Sequence, residues 1–250
     1  MQSFSAAEQK RPVTLASWGW TQCGDRPGEN QDAFLNWPEK KFWGVADGLG
    51  GTELGAAASR LLMRSFMGLK DYESLGDFIR KIRAVLVDDN DILCAQNKVG
   101  ASAASTIVTL LMHESEAACL WAGDSRCYLF RNDVLYQCTH DHTLRQQKID
   151  SGELTVPEAY RMVRGNIITS AVGVKEDMRL DEVRFPLRAG DRFLLCSDGL
   201  SNLLSADSLT RHMSRQTPKA CCESMVEAIK DVPQPDNITF VVVFLSMAAR

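Results

Sequence analysis

The sequence lacks several features that mark common classes of protein. No apolar run approaches the ~20 residues that span a bilayer, and the first residues, MQSFSAAEQKRPV, have no apolar centre of the kind found in a secretory signal. A net charge of -4 excludes the strongly basic profile of a nucleic-acid-binding protein. No repeat, low-complexity tract or linker is present. These absences predict a single domain at residues 13–248 after a flexible tail at residues 1–12, with neither nucleic acid nor membrane as a partner.

The eight cysteines also lack a pattern, because no two are spaced as Cys-x-x-Cys. Several lie inside apolar runs, Cys119 and Cys196 most clearly. Buried, reduced thiols in a cytoplasmic protein explain this arrangement better than a disulfide framework or a zinc site.

The apolar pattern predicts more strands than helices. Strands are predicted at residues 13–20, 33–35, 42–46, 106–112, 117–122, 127–130, 134–136, 166–172, 179–185, 192–196 and 238–244. Helices are predicted at 53–70, 75–97, 206–215 and 218–230, and residues 144–163 as two short helices or a mobile flap. Helices that come in pairs between runs of hairpins favour an α+β class, with antiparallel sheets covered by helices, over an alternating parallel sheet.

Aspartates recur at the ends of the apolar runs. Asp47, Asp124 and Asp198 each follow one, Asp236 precedes the last strand, and Asp32 precedes Ala33-Phe34-Leu35. An unpaired carboxylate in such a place is costly, so converging carboxylates require cations. Because all of these ligands are oxygen atoms, a hard ion such as Mg²⁺ or Mn²⁺ fits and zinc does not.

These aspartates lie in five short motifs that together resemble those of a known family. In order they are Asn30-Gln31-Asp32, Asp47-Gly48-x-Gly50-Gly51, Gly123-Asp124-Ser125-Arg126, Ser197-Asp198-Gly199-Leu200 and Asp236-Asn237-x-Thr239. The set resembles the PP2C-type (PPM) protein serine/threonine phosphatases, the smaller bacterial members most closely, from about Val13 to Phe244. The resemblance implies an αββα sandwich of two antiparallel sheets flanked by helix pairs, with two Mn²⁺ or Mg²⁺ ions at one end.

The resemblance also implies roles for the residues that hold these two ions. Asp47 would bridge them, and the carbonyl of Gly48 would bind one. Asp198 and Asp236 would complete the other, and Asn237 would support Asp236. Two such ions lower the pKa of a shared water, which then attacks the phosphorus of a phosphoserine or phosphothreonine.

Further residues would act around this pair of ions. Asp32 and Gln31 would act through metal-bound water, and Asp124 with Asp198 would hold a possible third ion. Arg26 would bind the substrate phosphate, since a guanidinium matches two phosphate oxygens.

The sequence departs from the family pattern in three places. Arg26 lies six residues before Asp32, where relatives have five, so either the loop bulges to let it reach the phosphate or it is a solvated loop residue. Leu49 and Thr52 occupy positions where relatives often carry a histidine, which leaves the proton donor to the leaving group unassigned. Ala104-Ser105-Thr106 replaces Gly-Thr-Thr, which we interpret as a packing difference.

Other polar residues near the motifs are interpreted as structural. His140 and His142 lie in a loop without metal-ligand spacing. Asp141 and Asp191 are interpreted as turn residues, and Arg126 as a residue that fixes the Asp124 loop by hydrogen bonds.

The sequence therefore predicts a monomeric cytoplasmic phosphatase that acts on phosphorylated proteins, substrates of a cognate serine/threonine kinase. The alternative within the same fold is a catalytically weak regulatory or partner-binding protein. A scaffold with surface acids and a phosphatase of non-protein esters are further alternatives.

Overall fold

The computed structural model describes residues 13–25, 28–50, 53–100, 102–164 and 167–247. The predicted tail at residues 1–12 lies outside the described residues, as do Arg26 and Thr52. The described strands form two antiparallel sheets, as the sequence predicted.

The first sheet has the order β1-β11-β10-β7-β8. Its strands are β1 (Val13–Gln22), β7 (Arg126–Arg131), β8 (Val134–Gln137), β10 (Arg192–Cys196) and β11 (Ile238–Met247). The second sheet has the order β2-β3-β5-β6-β9, with β4 paired to the end of β3. Its strands are β2 (Asp32–Trp37), β3 (Phe42–Leu49), β4 (Ala104–Ser105), β5 (Ile107–His113), β6 (Glu116–Ala122) and β9 (Asp181–Pro186).

Seven α-helices are described between these strands, and one short 3-10 turn covers Pro38–Lys40. The helices are α1 (Glu53–Met67), α2 (Leu75–Lys98), α3 (Leu144–Asp150), α4 (Val156–Met162), α5 (Asp198–Ser201), α6 (Ala206–Met213) and α7 (Pro218–Ile229). Several begin where a hydroxyl side chain accepts a hydrogen bond from an otherwise unpaired amide, as Ser74 does at α2 and Thr217 at α7.

Strict alternation along the strands produces the layers. In β11, Val241, Val243 and Leu245 face the other sheet, whereas Phe240 and Val242 pack against α6 and α7. In β3 the same alternation places Trp43 and Val45 between the sheets, and Phe42 and Ala46 against α1 and α2. The result is the expected αββα sandwich, in which each sheet is covered by one helix pair and α3 and α4 lie apart from these layers.

Some predicted elements are wrong in detail. Residues 166–172 were predicted as a strand, but among the described residues of this range only Ile168 and Val172 form isolated bridges, to Thr143 and Ser105. Asp198 lies two residues after the end of β10 and is also the first residue of α5. No described helix is both long and apolar enough to cross a membrane.

Candidate active site

Two of the predicted site aspartates lie opposite each other in one sheet. Asp32 is the first residue of β2, and its partner in the register of β2 and β3 is Asp47. The amide of Gly48 donates a hydrogen bond to the carbonyl of Gln31 (3.1 Å), which continues this pairing beyond Asp32. Like charges on directly opposed residues destabilise a sheet, so this position stores repulsion that a cation would relieve.

The backbone of Asp47 is held by the segment that joins β4 to β5. The Thr106 amide and the Ser105 hydroxyl both donate to the Asp47 carbonyl, at 2.9 and 3.0 Å. The Asp47 amide in turn donates to the Thr106 hydroxyl (3.1 Å). Ser105 and Thr106 therefore fix the backbone position of Asp47.

Gly48 has no room for a side chain. A Cβ there would lie 2.3 Å from the carbonyl oxygen of Gly55 and 2.7 Å from that of Gln31. The chain after Asp47 therefore passes close to both segments, and only glycine permits this approach.

A serine joins the two sheets at Asp32. The hydroxyl of Ser197, at the end of β10, donates to Oδ2 of Asp32 (2.8 Å) and accepts a hydrogen bond from the amide of Thr239 (3.0 Å). Asp32 is only 7% exposed, so this bond fixes its carboxylate with one oxygen engaged and the other, Oδ1, without a partner among the described residues.

Asn237 makes a second link between the sheets. Its side-chain carbonyl accepts a hydrogen bond from the amide of Gln31 (2.8 Å). Its own amide donates to Oδ1 of Asp236 (2.8 Å), which orients that exposed carboxylate. Asn237 therefore makes hydrogen bonds to both Gln31 and Asp236.

Asp198 and Asp124 complete the group from two other strand ends. Asp198 accepts a hydrogen bond from Asn202 on Oδ2 (3.2 Å), and its Oδ1 has no partner among the described residues. Asp124 follows Gly123 at the end of β6, is 6% exposed, and also has an unpartnered Oδ1 in the described part of the chain. Buried carboxylate oxygens without partners are rare in folded proteins and need an explanation.

The electrostatics show that these carboxyl groups converge. Burial, with a smaller contribution from the nearby charge of Asp198, raises the pKa of Asp32 to about 7. Burial and the charge of Asp198 likewise raise the pKa of Asp124 to about 7. The pKa of Asp47 is raised well above its usual value by burial and then by the charges of Asp32, Asp198, Asp124 and Asp236. Every one of the other four predicted aspartates therefore acts on Asp47.

No ion pair in the described part of the chain involves any of these five aspartates. Nor do three or more described His, Cys, Asp or Glu side chains form a group that could hold one ion as they stand. Mg²⁺ characteristically takes only one or two carboxylates and keeps several waters, so such an arrangement suits it. Unpartnered buried oxygens and an all-oxygen donor set fit a hard divalent cation.

Three further residues considered for the site, Gln31, Leu49 and Arg26, differ in where they lie. Gln31 lies beside the carboxylates through its backbone, as described above. Leu49, at the end of β3, offers no proton, in keeping with the missing histidine. The predicted phosphate ligand Arg26 lies outside the described residues, so its role stays a prediction.

Sequence reasoning missed two interactions behind Asp124. The sequence predicts that Arg126 makes hydrogen bonds to the Asp124 loop. Its guanidinium instead donates from Nε to Oδ1 of Asp141 (2.9 Å) and from a terminal nitrogen to Oδ2 of Asp141 (2.6 Å). Asp141 is thus an ion-pair partner rather than a simple turn residue. His142, interpreted as an ordinary loop residue, is 2% exposed and bonded to Gly123. The signal in the sequence is that His142 directly follows Asp141, shortly after strand β8.

A cavity of about 460 Å³ borders the end of β3, two residues beyond Asp47. Leu49 and Ala104 line one part of it, and Lys98 and Lys175 line another. The volume is in the range of ordinary ligand sites. None of the five aspartates is among the described residues that line this cavity.

Sequence comparison identifies the family that has this fold and these motifs. A sequence model described as protein phosphatase 2C matches residues 25–232. The chain belongs to the protein phosphatase 2C family.

Individual relatives are bacterial. The serine/threonine protein phosphatase PstP of Mycobacterium tuberculosis is 31% identical over 204 residues, which are 79% of this chain and 39% of PstP. The chain thus spans well under half the length of that relative. The serine/threonine phosphatase stp of Listeria innocua is 29% identical over 224 residues, which are 86% of this chain and 88% of stp.

Solved structures give the same result. PppA, described as a key regulatory component of T6SS in Pseudomonas aeruginosa, is 34% identical, with a TM-score of 0.86 over 92% of this chain and 97% of PppA. The catalytic domain of PstP in complex with two manganese ions is 28% identical, with a TM-score of 0.82 over 94% of this chain and 100% of that domain. The fold of this chain is therefore that of metal-dependent phosphatases.

Proposed function

We propose that this protein is a metal-dependent protein phosphatase that hydrolyses phosphoserine and phosphothreonine esters. The observation that carries the proposal is the convergence of five aspartates that form no ion pair with any described residue, in a chain of the protein phosphatase 2C family. Relatives with serine/threonine phosphatase names support the substrate class.

Two Mn²⁺ or Mg²⁺ ions are the proposed cofactors, with a third ion as a further possibility. Asp47 is the proposed bridging ligand, the Gly48 carbonyl and the carboxylates of Asp198 and Asp236 are further ligands, and Asp32 takes part through water. The proposed third ion uses Asp124 together with Asp198. Bound ions of this kind supply a nucleophilic water near neutral pH and neutralise charge on the phosphoryl group.

The chain's own contribution is to hold these oxygens in place. Ser197 occupies one oxygen of Asp32 and leaves the other free. Asn237 holds the backbone of Gln31 and orients Asp236. These bonds would orient the carboxylate oxygens toward the ions.

Two steps lie with residues other than the aspartates. We propose that Arg26 binds the phosphate oxygens, since a guanidinium fork matches them. Leu49 has no proton to give, so the leaving serine or threonine oxygen takes its proton from water or from another group.

The proposal extends to the setting of the reaction. Residues 13–248 would act as one monomeric domain on substrates of a cognate kinase. Eight free cysteines support a reducing compartment such as the cytoplasm. The likeness to PppA supports a regulatory role rather than a metabolic one.

One experiment tests the proposed function directly. Mn²⁺-dependent hydrolysis of p-nitrophenyl phosphate and of phosphothreonine peptides is measured for the wild type, Asp47→Asn and Asp198→Asn. We expect both variants to lose roughly 10³-fold or more in kcat, because each loses a charged ligand of the ions. Asp207→Asn, which changes an exposed aspartate of α6, is the matched control.

Metal-independent activity, or full activity in both variants, would overturn the proposal. The second candidate, a catalytically weak regulatory protein, is favoured by Leu49 at the usual histidine position. It predicts normal Mn²⁺ binding with hardly any turnover in the wild type.

A further inference from the structure

His142 lies in the loop between β8 and α3, directly behind the turn that carries Asp124. Its side chain is 2% exposed, and its ring stacks on that of Trp121, with 6.1 Å between the ring centroids. A buried histidine held on one face by an aromatic ring has little freedom to rotate.

His142 makes two hydrogen bonds to a single residue of that turn. The amide of Gly123 donates to Nδ1 of the ring (3.2 Å), and the amide of His142 donates to the carbonyl of Gly123 (2.9 Å). Both peptide groups that flank Gly123 are therefore fixed by one residue from another part of the chain. Asp124 is the next residue, so its backbone position follows from these bonds.

Gly123 has a conformation that needs such support. Its φ of 116° lies in the region that favours glycine, and a Cβ there would be 2.6 Å from Cβ of Thr106. The turn points Asp124 into the group of carboxylates, where its Oδ1 has no described partner. A buried turn of this kind must have its backbone groups paired.

The other side of the ring defines its tautomer. Because Nδ1 accepts from Gly123, the proton of a neutral ring is on Nε2, and that nitrogen donates to Oδ2 of Asp181 (3.2 Å). Nε of Arg179 donates to the other oxygen of Asp181 (2.9 Å). Burial lowers the pKa of His142, in agreement with a neutral ring.

We propose that His142 is a positioning residue, which uses Nδ1 to hold the Gly123 turn so that the Asp124 carboxylate can bind a divalent cation, while Asp181 keeps the required tautomer. The inference rests on the proposed function, because it takes Asp124 as a ligand of the proposed third ion. Partners that orient a metal ligand in this way typically change metal affinity 10–100-fold when they are removed.

The test measures Mn²⁺ binding by isothermal titration calorimetry and by the electron paramagnetic resonance of free Mn²⁺. Wild type, Asp124→Asn, His142→Leu and His142→Asn are compared, with folding checked by circular dichroism in EDTA. Asp124→Asn identifies the ion that depends on Asp124. We expect His142→Leu to weaken the binding of that ion by about 10-fold or more and the binding of the other ions by less than about 2-fold.

His142→Asn is the rescue variant, because its side-chain carbonyl can accept from Gly123 near the position of Nδ1. It should keep the dissociation constant of the ion at Asp124 within about 3-fold of the wild-type value. Equal losses in His142→Leu and His142→Asn would show that ring packing matters and not the bond to Gly123, which would overturn the proposal. Unchanged binding in a folded His142→Leu protein would overturn it as well.

A third variant allows the proposal to be tested even when His142→Leu is unfolded. If His142→Leu does not fold, Asp181→Ala removes the acceptor of Nε2 from a partly exposed position, and it must weaken the same ion. Unchanged binding in Asp181→Ala would then reject the proposal. A wild type that binds no Mn²⁺ would refute the proposed function itself. An unaffected isotherm in Asp124→Asn would instead reject only the role given to His142.

Discussion

Two groups of buried aspartates differ in what lies next to them. Asp191 accepts hydrogen bonds from Nε and a terminal nitrogen of Arg131, both at 2.7 Å, and Asp141 has the same two-point contact with Arg126. We call these two the arginine-paired aspartates. Asp32, Asp124 and Asp198 are the unpaired aspartates of the candidate site, since each keeps one oxygen without a described partner. Asp89 on α2 also keeps one such oxygen, but it is not among the predicted site residues, and its other oxygen accepts a hydrogen bond from Ser65.

The difference separates structural carboxylates from candidate ligands. A guanidinium inside the protein supplies the opposite charge that a buried carboxylate needs, and its planar fork satisfies both oxygens. The unpaired aspartates instead have raised pKa values, first because they are buried and second because carboxylates of the same sign lie near them. The proposed divalent ions would supply a counter-charge for this second group from outside the chain.

The largest expected effect is on the pH dependence of the metal-free protein. The pKa values of Asp32 and Asp124 are raised from 3.8 to about 7, so the folded state binds more protons than the unfolded state between these values. The contribution of these two groups to stability is therefore fully present below about pH 4 and is lost as pH rises through about 7, by roughly 4 kcal/mol per group at most.

Urea unfolding in EDTA at pH 5 and pH 8 measures this fall, and saturating Mn²⁺ should reverse it at pH 8. Asp124→Asn should reduce the difference between the two pH values. Equal stability at both values, or greater stability at pH 8 in EDTA, would remove the distinction between the two groups.

The next effect comes from breaking an arginine-paired aspartate. Arg131→Met leaves the 1% exposed carboxylate of Asp191 without its cation. We expect a loss of about 3–5 kcal/mol in unfolding free energy with kcat per folded molecule unchanged. Chemical denaturation and p-nitrophenyl phosphate hydrolysis measure the two quantities.

The double variant Arg131→Met/Asp191→Asn is the control for this prediction. A neutral amide can still accept the hydrogen bond that the Arg188 amide gives to Asp191, so the double variant should recover part of the loss. A single variant as stable as the wild type would show that the ion pair is dispensable.

The smallest effect concerns the serine that partly supports an unpaired aspartate. Ser197→Ala removes the donor to Asp32 and leaves the amide of Thr239 without its side-chain acceptor. We expect a cost of about 1–3 kcal/mol, measured by urea unfolding with Mn²⁺ present. Ser214→Ala, at an exposed serine that bonds within its own helix region, should change little. A cost no larger than that of Ser214→Ala would contradict this role.

Much of the fold and the candidate carboxylates could be predicted from the sequence. Strand β3 is a short apolar run with an aspartate near its end, and both facts are local. Helix α2 could be predicted for the same reason, since its apolar face repeats at helical spacing. The contacts of Ser197 with Asp32 and of His142 with Gly123 join residues 165 and 19 positions apart. Such contacts depend on which strands meet, and a single sequence does not give that order.

The wrong strand at residues 166–172 has a similar cause. Ile167, Ile168 and Val172 are apolar enough for a strand, but Gly173 turns the chain with a φ of 90°. The buried side chain of Asn90 on α2 accepts from the amide of Gly173 and donates to the carbonyl of Lys175, so the segment is held by a helix instead of a strand. The helix supplies a partner that the local pattern does not contain.

The bond between Ser197 and Asp32 has a consequence for the cell. This bond joins the two sheets at the place where the ions are proposed to bind. An ion bound there would therefore stabilise the contact between the two sheets. At a free Mn²⁺ concentration 100 times the dissociation constant, one such ion adds about 2.7 kcal/mol to the stability of the fold. The abundance of the protein, and not only its turnover, would then follow the supply of manganese.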